Sequence, residues 1–210
     1  MKNSLAYSLI FILLLSFQLN AQRPSQPPTK SKEKKEDSKE SSKPKSYEEI
    51  ITKEAKTDKG LFDVHKVKDK YYYEINDSLL GREMLMVTRI AKTAAGLGFG
   101  GGKQNTQVLR WQKKDQNILL RVVSHNVVAN DSLPVSEAVV NSNFEPVLYN
   151  FKIATVSKDS TSTVIDVTKL FTDDVKPLGL PQSRRKSYKI SNLDSKRSFI
   201  ESLKNYPINI

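Results

Sequence analysis

Cysteine is absent from this 210-residue chain, and the chain has only two histidines and one tryptophan. Without thiols it can form neither a disulfide nor a cysteine-ligated zinc site, and it has no thiol nucleophile. A hydrophobic core must therefore stabilise the fold. A chain of this length can hold one domain of ordinary size, or a small domain with part of another.

Long hydrophobic runs are scarce, and the clearest one is at the N-terminus. The apolar run from Leu5 to Leu19 is shorter than the ~18 residues that a membrane-spanning helix needs. Lys2 precedes the run, and Leu19-Asn20-Ala21 follows with a small residue where a signal peptidase would cut, which predicts a secretory signal peptide over residues 1–21. We therefore expect an exported protein, periplasmic, outer-envelope or secreted, with no transmembrane span after signal removal. No cysteine follows the cleavage site to carry a lipid anchor.

Basic residues are in excess, with a formal net charge of +11. Residues 22–45 contain eight basic and four acidic residues and no large apolar residue, which predicts a disordered spacer. Residues 46–210 carry 25 basic and 19 acidic residues, mixed along the chain as on a solvated surface. Because no nucleic-acid recognition motif accompanies this charge, we expect no nucleic-acid partner.

The densest aromatic and β-branched stretch runs from Leu61 to Ile90. Its pattern predicts three strands, around Phe62–Val67, Tyr71–Ile75 and Met84–Ile90, that form a small three-stranded sheet. Ahead of it, Ser46 and Glu49 fit a capping box, which predicts a helix from Tyr47 to about Lys56 over one face of that sheet.

Five glycines between Ala94 and Gly102 predict a flexible loop, and we place a linker at residues 96–103. Gly96, Gly98 and Gly101 match the pattern G-x-G-x-x-G. A phosphate site of that type requires a helix after the loop, whereas a strand pattern follows here, so we interpret the segment as a loop.

Hairpins dominate the rest of the chain, with a few short helices among them. The predicted strands are Thr106–Gln112, Ile118–Val123, Val147–Ile153 and Thr163–Val167, and the predicted helices are 134–140, 169–172 and 195–205, with a loop at Pro177–Lys186. Pro207–Ile210 resembles the start of a further strand. We therefore predict an α+β, mainly antiparallel β fold: a helix-plus-three-strand unit at 46–95 and a β-hairpin-rich domain at 104–210, incomplete at its C-terminus.

The chain offers no recognisable catalytic, cofactor-binding or metal-binding set, and we predict no such residue. His65 and His125 lack the spacing of zinc ligands, and Asp63 near His65 supplies no third ligand with motif-like spacing. No G-x-S-x-G motif is present. The acidic pairs Asp173-Asp174 and Glu48-Glu49 are adjacent in sequence, unlike a carboxylate pair held across a cleft.

Two further motifs leave alternatives open. The basic run Arg184-Arg185-Lys186 could contact an acidic partner, although we favour a solvated loop. The triplet Tyr71-Tyr72-Tyr73 could stack on a sugar or peptide, although core packing is the stronger interpretation.

Residues Gly60–Ile90 also carry a family resemblance. Their pattern Gly-Leu-Phe…Tyr-x-x-Glu-Ile…Leu-Leu-Gly-Arg-Glu…Arg-Ile resembles the N-terminal region of large exported bacterial zinc-dependent metallopeptidases with a metzincin-like catalytic domain. That region consists of two successive domains of unknown function. The resemblance continues through Gln107–Trp111, Ile165–Phe171 and Arg197–Ile200.

The resemblance implies a non-catalytic accessory or propeptide-like role, in which this region folds with or shields a catalytic domain in the same parent protein. The catalytic His-Glu-x-x-His of such enzymes does not occur in this chain. The resemblance therefore implies that zinc belongs to a catalytic domain outside this sequence, and that the chain is truncated before it. A free-standing envelope module that binds peptide or glycan is the alternative.

Overall fold

The computed structural model describes residues 45–210, so the predicted signal peptide and nearly all of the predicted spacer lie outside the described residues. Eight strands form its framework: β1 Lys56–Lys59, β2 Asp63–Val67, β3 Lys70–Asn76, β4 Glu83–Arg89, β5 Lys103–Lys114, β6 Asn117–Val123, β7 Val147–Val156 and β8 Ser162–Asp166. Four short helices accompany them: α1 Tyr47–Ile50, α2 Val135–Ser142, α3 Thr168–Thr172 and α4 Gln182–Tyr188. Two single 3₁₀ turns lie at Asp77–Leu79 and Lys176–Leu178.

The strands form one antiparallel sheet in the order β1-β2-β3-β8-β7-β6-β5-β4. This arrangement confirms the predicted α+β, mainly antiparallel β fold class. The small three-stranded sheet is wrong, however, because β4 pairs with β5 and not with β3. Instead β3 pairs with β8, for example Tyr73 opposite Ile165. Strands from the N-terminal and C-terminal halves of the described chain therefore pair within one sheet.

The sheet coils around a core that both predicted domains supply. Side chains at alternate positions of a strand point to the same face, so Tyr71, Tyr73 and Ile75 of β3 face inward together. Phe62, just before β2, contacts the ring of Trp111 on β5 with 5.9 Å between ring centroids. These contacts join strands that are far apart in the sheet order.

The N-terminal helix is shorter than predicted. Its capping box is confirmed, since the backbone N–H of Ser46 donates to Glu49 Oε2 over 2.6 Å. The helix nevertheless ends at Ile50, because the chain turns and Lys56–Lys59 pair with β2 as an edge strand. Backbone pairing along the sheet edge has replaced the predicted second half of the helix.

The predictions after residue 176 are also partly wrong. The predicted loop at Pro177–Lys186 contains most of α4, and the predicted helix at 195–205 does not form. Asp194 accepts from the backbone N–H of Lys196 in a local turn. Asn205 donates its side-chain amide to the carbonyl oxygens of Asp58 and Phe62, so tertiary bonds hold this segment in an irregular conformation.

Pro207–Ile210 does not start a strand either, because Tyr206 and Asn209 form an isolated bridge around a turn. The other elements agree with prediction. The hairpin strands, the helix after Pro134 and the one-turn helix near Thr168 are present, and the glycine-rich segment is the loop between β4 and β5. Among the helices of the described chain, none is long and apolar enough to cross a bilayer.

We expect Gly60→Ala to lower the free energy of unfolding by about 1–3 kcal/mol, because overpacking and backbone shifts cost about this much. A Cβ at Gly60 would lie 2.5 Å from the carbonyl oxygen of Tyr206, which accepts from the N–H of Leu61. Denaturant unfolding measures the change. Gly102→Ala is the control, since its Cβ would meet only Gln104 Nε2, at 3.5 Å. Equal stability of the two variants would contradict the close packing of this turn.

Candidate functional site

A polar cluster lies on the outer face of the first three strands, where strand register brings four side chains together. Thr57 on β1 is directly opposite His65 on β2, so both side chains share one face. Glu74 on β3 is opposite Asp63, two residues from His65 and therefore on the same face. The phenol of Tyr47 reaches Glu74 from α1. We call Tyr47, Thr57, His65 and Glu74 the His65 cluster.

The hydrogen bonds of the His65 cluster form a continuous chain. Thr57 Oγ1 lies 2.8 Å from His65 Nδ1, and His65 Nε2 lies 3.0 Å from Glu74 Oε2. Tyr47 donates its hydroxyl to the same carboxylate oxygen over 2.7 Å. His65 is buried and Glu74 is nearly so. Both ring nitrogens of His65 are therefore engaged within the protein.

The electrostatics of the cluster favour an ionised Glu74. The hydrogen bond from His65, helped by that from Tyr47, holds the pKa of Glu74 below its ordinary value, although burial opposes this. Burial, and then the bond to Glu74, raise the pKa of Tyr47. Tyr47 therefore stays a neutral donor to a carboxylate acceptor.

A hydroxyl, an imidazole and a carboxylate in series could in principle activate the hydroxyl as a nucleophile. Here the hydroxyl belongs to Thr57 on an exposed edge strand, and the carboxylate also holds Tyr47 of α1. A cavity of about 310 Å³ beside β1 is lined by Thr57, but its lining also includes Val64 and Tyr71 from the core side of the sheet and does not include His65 or Glu74. The geometry fits a structural role better, because the cluster fastens α1 and β1 to the sheet.

We expect Glu74→Gln to destabilise the protein at neutral pH by about 1–2 kcal/mol, as for other charge-assisted hydrogen bonds. A carboxyl group whose pKa is lowered in the folded state adds stability above its unfolded pKa of about 4.3, and this stability is lost as the pH falls through the lowered value. The difference between wild type and variant should therefore shrink below about pH 4. Unfolding curves from pH 3 to 7 measure it, and a pH-independent difference would contradict the assignment.

The second histidine lies in a separate ion-pair network. His125 Nε2 is 2.8 Å from Glu83 Oε2, and Arg110 donates to both Glu83 and Glu145. The hydrogen bonds from His125 and Arg110 lower the pKa of Glu83. The structure thus places the two histidines in different networks. Within residues 45–210, no group of three or more His, Cys, Asp or Glu side chains is placed to hold a metal ion.

The other motifs singled out in the sequence have structural roles. All three of Tyr71, Tyr72 and Tyr73 are buried, which confirms core packing and leaves no ring free to stack on a ligand. The interpretation of 184–186 as a solvated loop is wrong, because this run lies in α4 and Arg185 is buried. Arg185 donates to both carboxylate oxygens of Asp174 over 2.9 and 2.6 Å.

An apolar cavity of about 420 Å³ lies beside this ion pair. Met86 and Thr88 of β4 form one wall, and Leu170 and Phe171 of α3 contribute to another. The remaining walls come from the segment that contains α4; they include Val175, Leu178, Leu180, Ile190 and Leu193. Asp174 and Arg185 pair with each other at its wall and most of the lining is apolar, so the cavity suits an apolar side chain better than a reacting substrate.

A run of exposed apolar side chains lies between β6 and β7. α2 has no buried residue, and Val135 and Val140 remain mostly exposed. The flanking segment exposes further apolar side chains, namely Val127, Val128, Leu133 and Phe144. We call residues 127–144 the apolar segment. Exposed apolar groups concentrated in this way are typical of an interaction surface.

Comparison with known proteins agrees with the two-part organisation of the sequence. The family model for a domain of unknown function, DUF5117, matches residues 101–210, slightly more than half of the chain. The chain belongs to the DUF5117 family. A second model, also for a domain of unknown function, DUF5118, matches residues 44–93. No curated protein matches the chain significantly, and neither does any solved structure.

The two family matches confirm the coarser part of the resemblance, two successive domains of unknown function. The predicted boundaries at 46–95, 96–103 and 104–210 stay predictions. In the structure, the residues of the DUF5118 match supply β1 to β4 and those of the DUF5117 match supply β5 to β8, all within one sheet.

Sequence reasoning missed the partners of His65 and Arg185. A two-residue turn after Val67 places Glu74 opposite Asp63, and hence on the same face as His65. The His65–Glu74 contact could therefore have been predicted from the register of this hairpin. No local signal connects Asp174 with Arg185, because the bond depends on how two loops and α4 pack.

Proposed function

We propose that this chain is a non-catalytic accessory or propeptide-like region of an exported zinc-dependent metallopeptidase. It acts by folding with the catalytic domain or by shielding it. The sequence resemblance motivates the proposal, and the two family matches in the expected order are compatible with it. Zinc would be bound by the catalytic domain and not by this chain.

The observation that carries the proposal is the apolar segment at 127–144. α2 is an eight-residue helix with no buried side chain, although it contains three valines and an alanine. Val135 and Val139 are four residues apart and so lie on one helix face. An amphipathic helix stabilised mainly by packing normally buries such a face. We therefore assign this face to a partner surface, in the way that helices dock into apolar grooves.

The experiment adds the full chain to the matching metallopeptidase catalytic domain and measures binding by calorimetry and peptide cleavage by fluorescence. We expect binding together with a change in cleavage rate or in catalytic-domain stability. Val135→Lys should weaken binding at least tenfold, because it places a charge on the contact face. The control is Phe199→Lys, at an exposed apolar residue outside the segment. Absence of both binding and any effect on the catalytic domain would refute the proposal.

The gene sequence separately tests whether this chain is part of a metallopeptidase. An open reading frame that continues past the codon for Ile210 and encodes His-Glu-x-x-His would support it, and a stop codon there would contradict it. The alternative, an envelope module that holds glycan or peptide on its tyrosines, is not favoured by any observation, because Tyr71–Tyr73 are buried.

A further inference from the structure

The two edge strands of the sheet differ in how they are protected from pairing with another chain. β1 has only four residues and carries Lys56 and Lys59 at its ends. The segment near Asn205 covers it, since the N–H of Asn205 donates to Asp58. Short, lysine-rich and covered edges are the usual protection against edge-to-edge association. β1 is therefore a closed edge.

β4, at the opposite edge, lacks these protections. It has seven residues, Glu83–Arg89, with neither lysine nor proline among them. Leu85 is 68% exposed and Val87 is 43% exposed, on the outer face of the strand. A residue is skipped near the end of the β4–β5 ladder, at Gln104, so the irregularity lies in β5 and β4 itself stays regular.

The backbone of β4 is bonded on one side only. Within the part of the chain that the structure describes, its ladder runs to β5, and no other segment adds a backbone hydrogen bond to Met84–Thr88. The α3–α4 segment packs on the inner face, where Met86 and Thr88 line the apolar cavity, and makes no backbone hydrogen bond to Met84–Thr88. An exposed row of N–H and C=O groups is a template for one more strand.

The sequence of β4, Glu-Met-Leu-Met-Val-Thr-Arg, is complementary to itself when two copies run antiparallel. With the two-fold axis at Met86, Glu83 of one copy lies opposite Arg89 of the other, at both ends of the contact. Leu85 then lies opposite Val87 on the outer face. Opposite charges and branched apolar pairs directly across from each other are the pairs that stabilise antiparallel strands.

We infer that two copies of this chain associate through β4, with the strands antiparallel and the axis at Met86. The interface is isologous, as is usual for a two-fold dimer, because the same strand serves both copies. The carboxylate of Glu83 already accepts from Arg110 and His125, and its remaining lone pairs are available to Arg89 of the second copy. This dimer uses a different surface from the apolar segment and does not depend on the proposed function.

The experiment measures the mass of the full chain by analytical ultracentrifugation over a range of concentrations. The wild type should form a reversible dimer. Leu85→Lys should weaken dimerisation at least tenfold, because it adds a lysine to an exposed edge strand, a device that blocks edge pairing. Val140→Lys, at an exposed valine of α2, is the matched control and should leave dimerisation unchanged. Circular dichroism shows whether each variant remains folded.

Charge reversal tests the register. Glu83→Arg alone and Arg89→Glu alone should each weaken self-association, because like charges then face each other at both ends. A mixture of these two variants should form a heterodimer, since opposite charges face each other again. A wild type that stays monomeric at all concentrations would overturn the inference. A dimer that persists in Leu85→Lys, or variants that fail to associate with each other when mixed, would also overturn it.

Discussion

Trp111→Ala should lower the free energy of unfolding by about 3–5 kcal/mol, the usual cost of truncating a large buried aromatic side chain. The Trp111 ring lies at the centre of an aromatic group, 5.9 Å from Phe62, 6.3 Å from Tyr73 and 5.7 Å from Phe151 between centroids. Truncation to alanine removes most of the side-chain volume, so the loss combines transfer free energy with the cost of a cavity.

The Trp111 variant also tests whether the two family regions unfold together. Phe62 and Tyr73 belong to the DUF5118 region, whereas Trp111 and Phe151 belong to the DUF5117 region. Because one core joins them, we expect a single denaturant transition, shifted as a whole and monitored by circular dichroism and tyrosine fluorescence. Phe199→Ala, at a side chain that is 81% exposed, should change stability by less than about 0.5 kcal/mol. Two separate transitions, of which only that of the DUF5117 region shifts in Trp111→Ala, would show that the regions fold independently.

Local pattern predicted most strands of this fold but not how they are ordered. Alternation along Thr106–Gln112 and Ile118–Val123 indicates strands, and the short turn between them makes them neighbours. The pairing of β3 with β8 has no such signal, because about ninety residues separate Tyr73 from Ile165. Proximity in sequence to β3 favoured β4 as the third strand of the first unit, but β4 pairs instead with β5, the next strand along the chain, across the glycine-rich loop.

The helix predictions were wrong where tertiary hydrogen bonds compete with local helix propensity. Asp194 followed by apolar residues at helical spacing favours a helix, yet Asn205 is held by Asp58 and Phe62 on the β1 edge. α4, by contrast, forms although it was not predicted. Its sequence has few apolar residues, and the buried side chain that anchors it is an arginine. Burial of Arg185 is stable only when its charge is paired, and hydropathy patterns do not reveal a partner.

Arg185→Met should cost about 3 kcal/mol of stability, which is typical of breaking a buried ion pair by removing one partner. Its guanidinium also donates to the carbonyl oxygens of Leu180 and Ser191, so the variant leaves those acceptors unpaired as well. The matched control is Arg197→Met: Arg197 is 85% exposed beside Asp194, and the loss of such a pair should cost less than about 1 kcal/mol. Equal costs would contradict the anchoring role of Arg185.

The pH dependence of stability separates the charge of this pair from its packing. Hydrogen bonds from Arg185 lower the pKa of Asp174, so the pair stabilises the fold above the unfolded aspartate pKa of about 3.9. That stability is lost as the pH falls through the lowered value, and the wild type and Arg185→Met should converge in stability below about pH 3. Replacing both partners, as Arg185→Met with Asp174→Leu, should recover part of the loss at pH 7, because no unpaired buried charge remains. A double variant no more stable than Arg185→Met would place the effect in packing around α4 and not in the charge of Asp174.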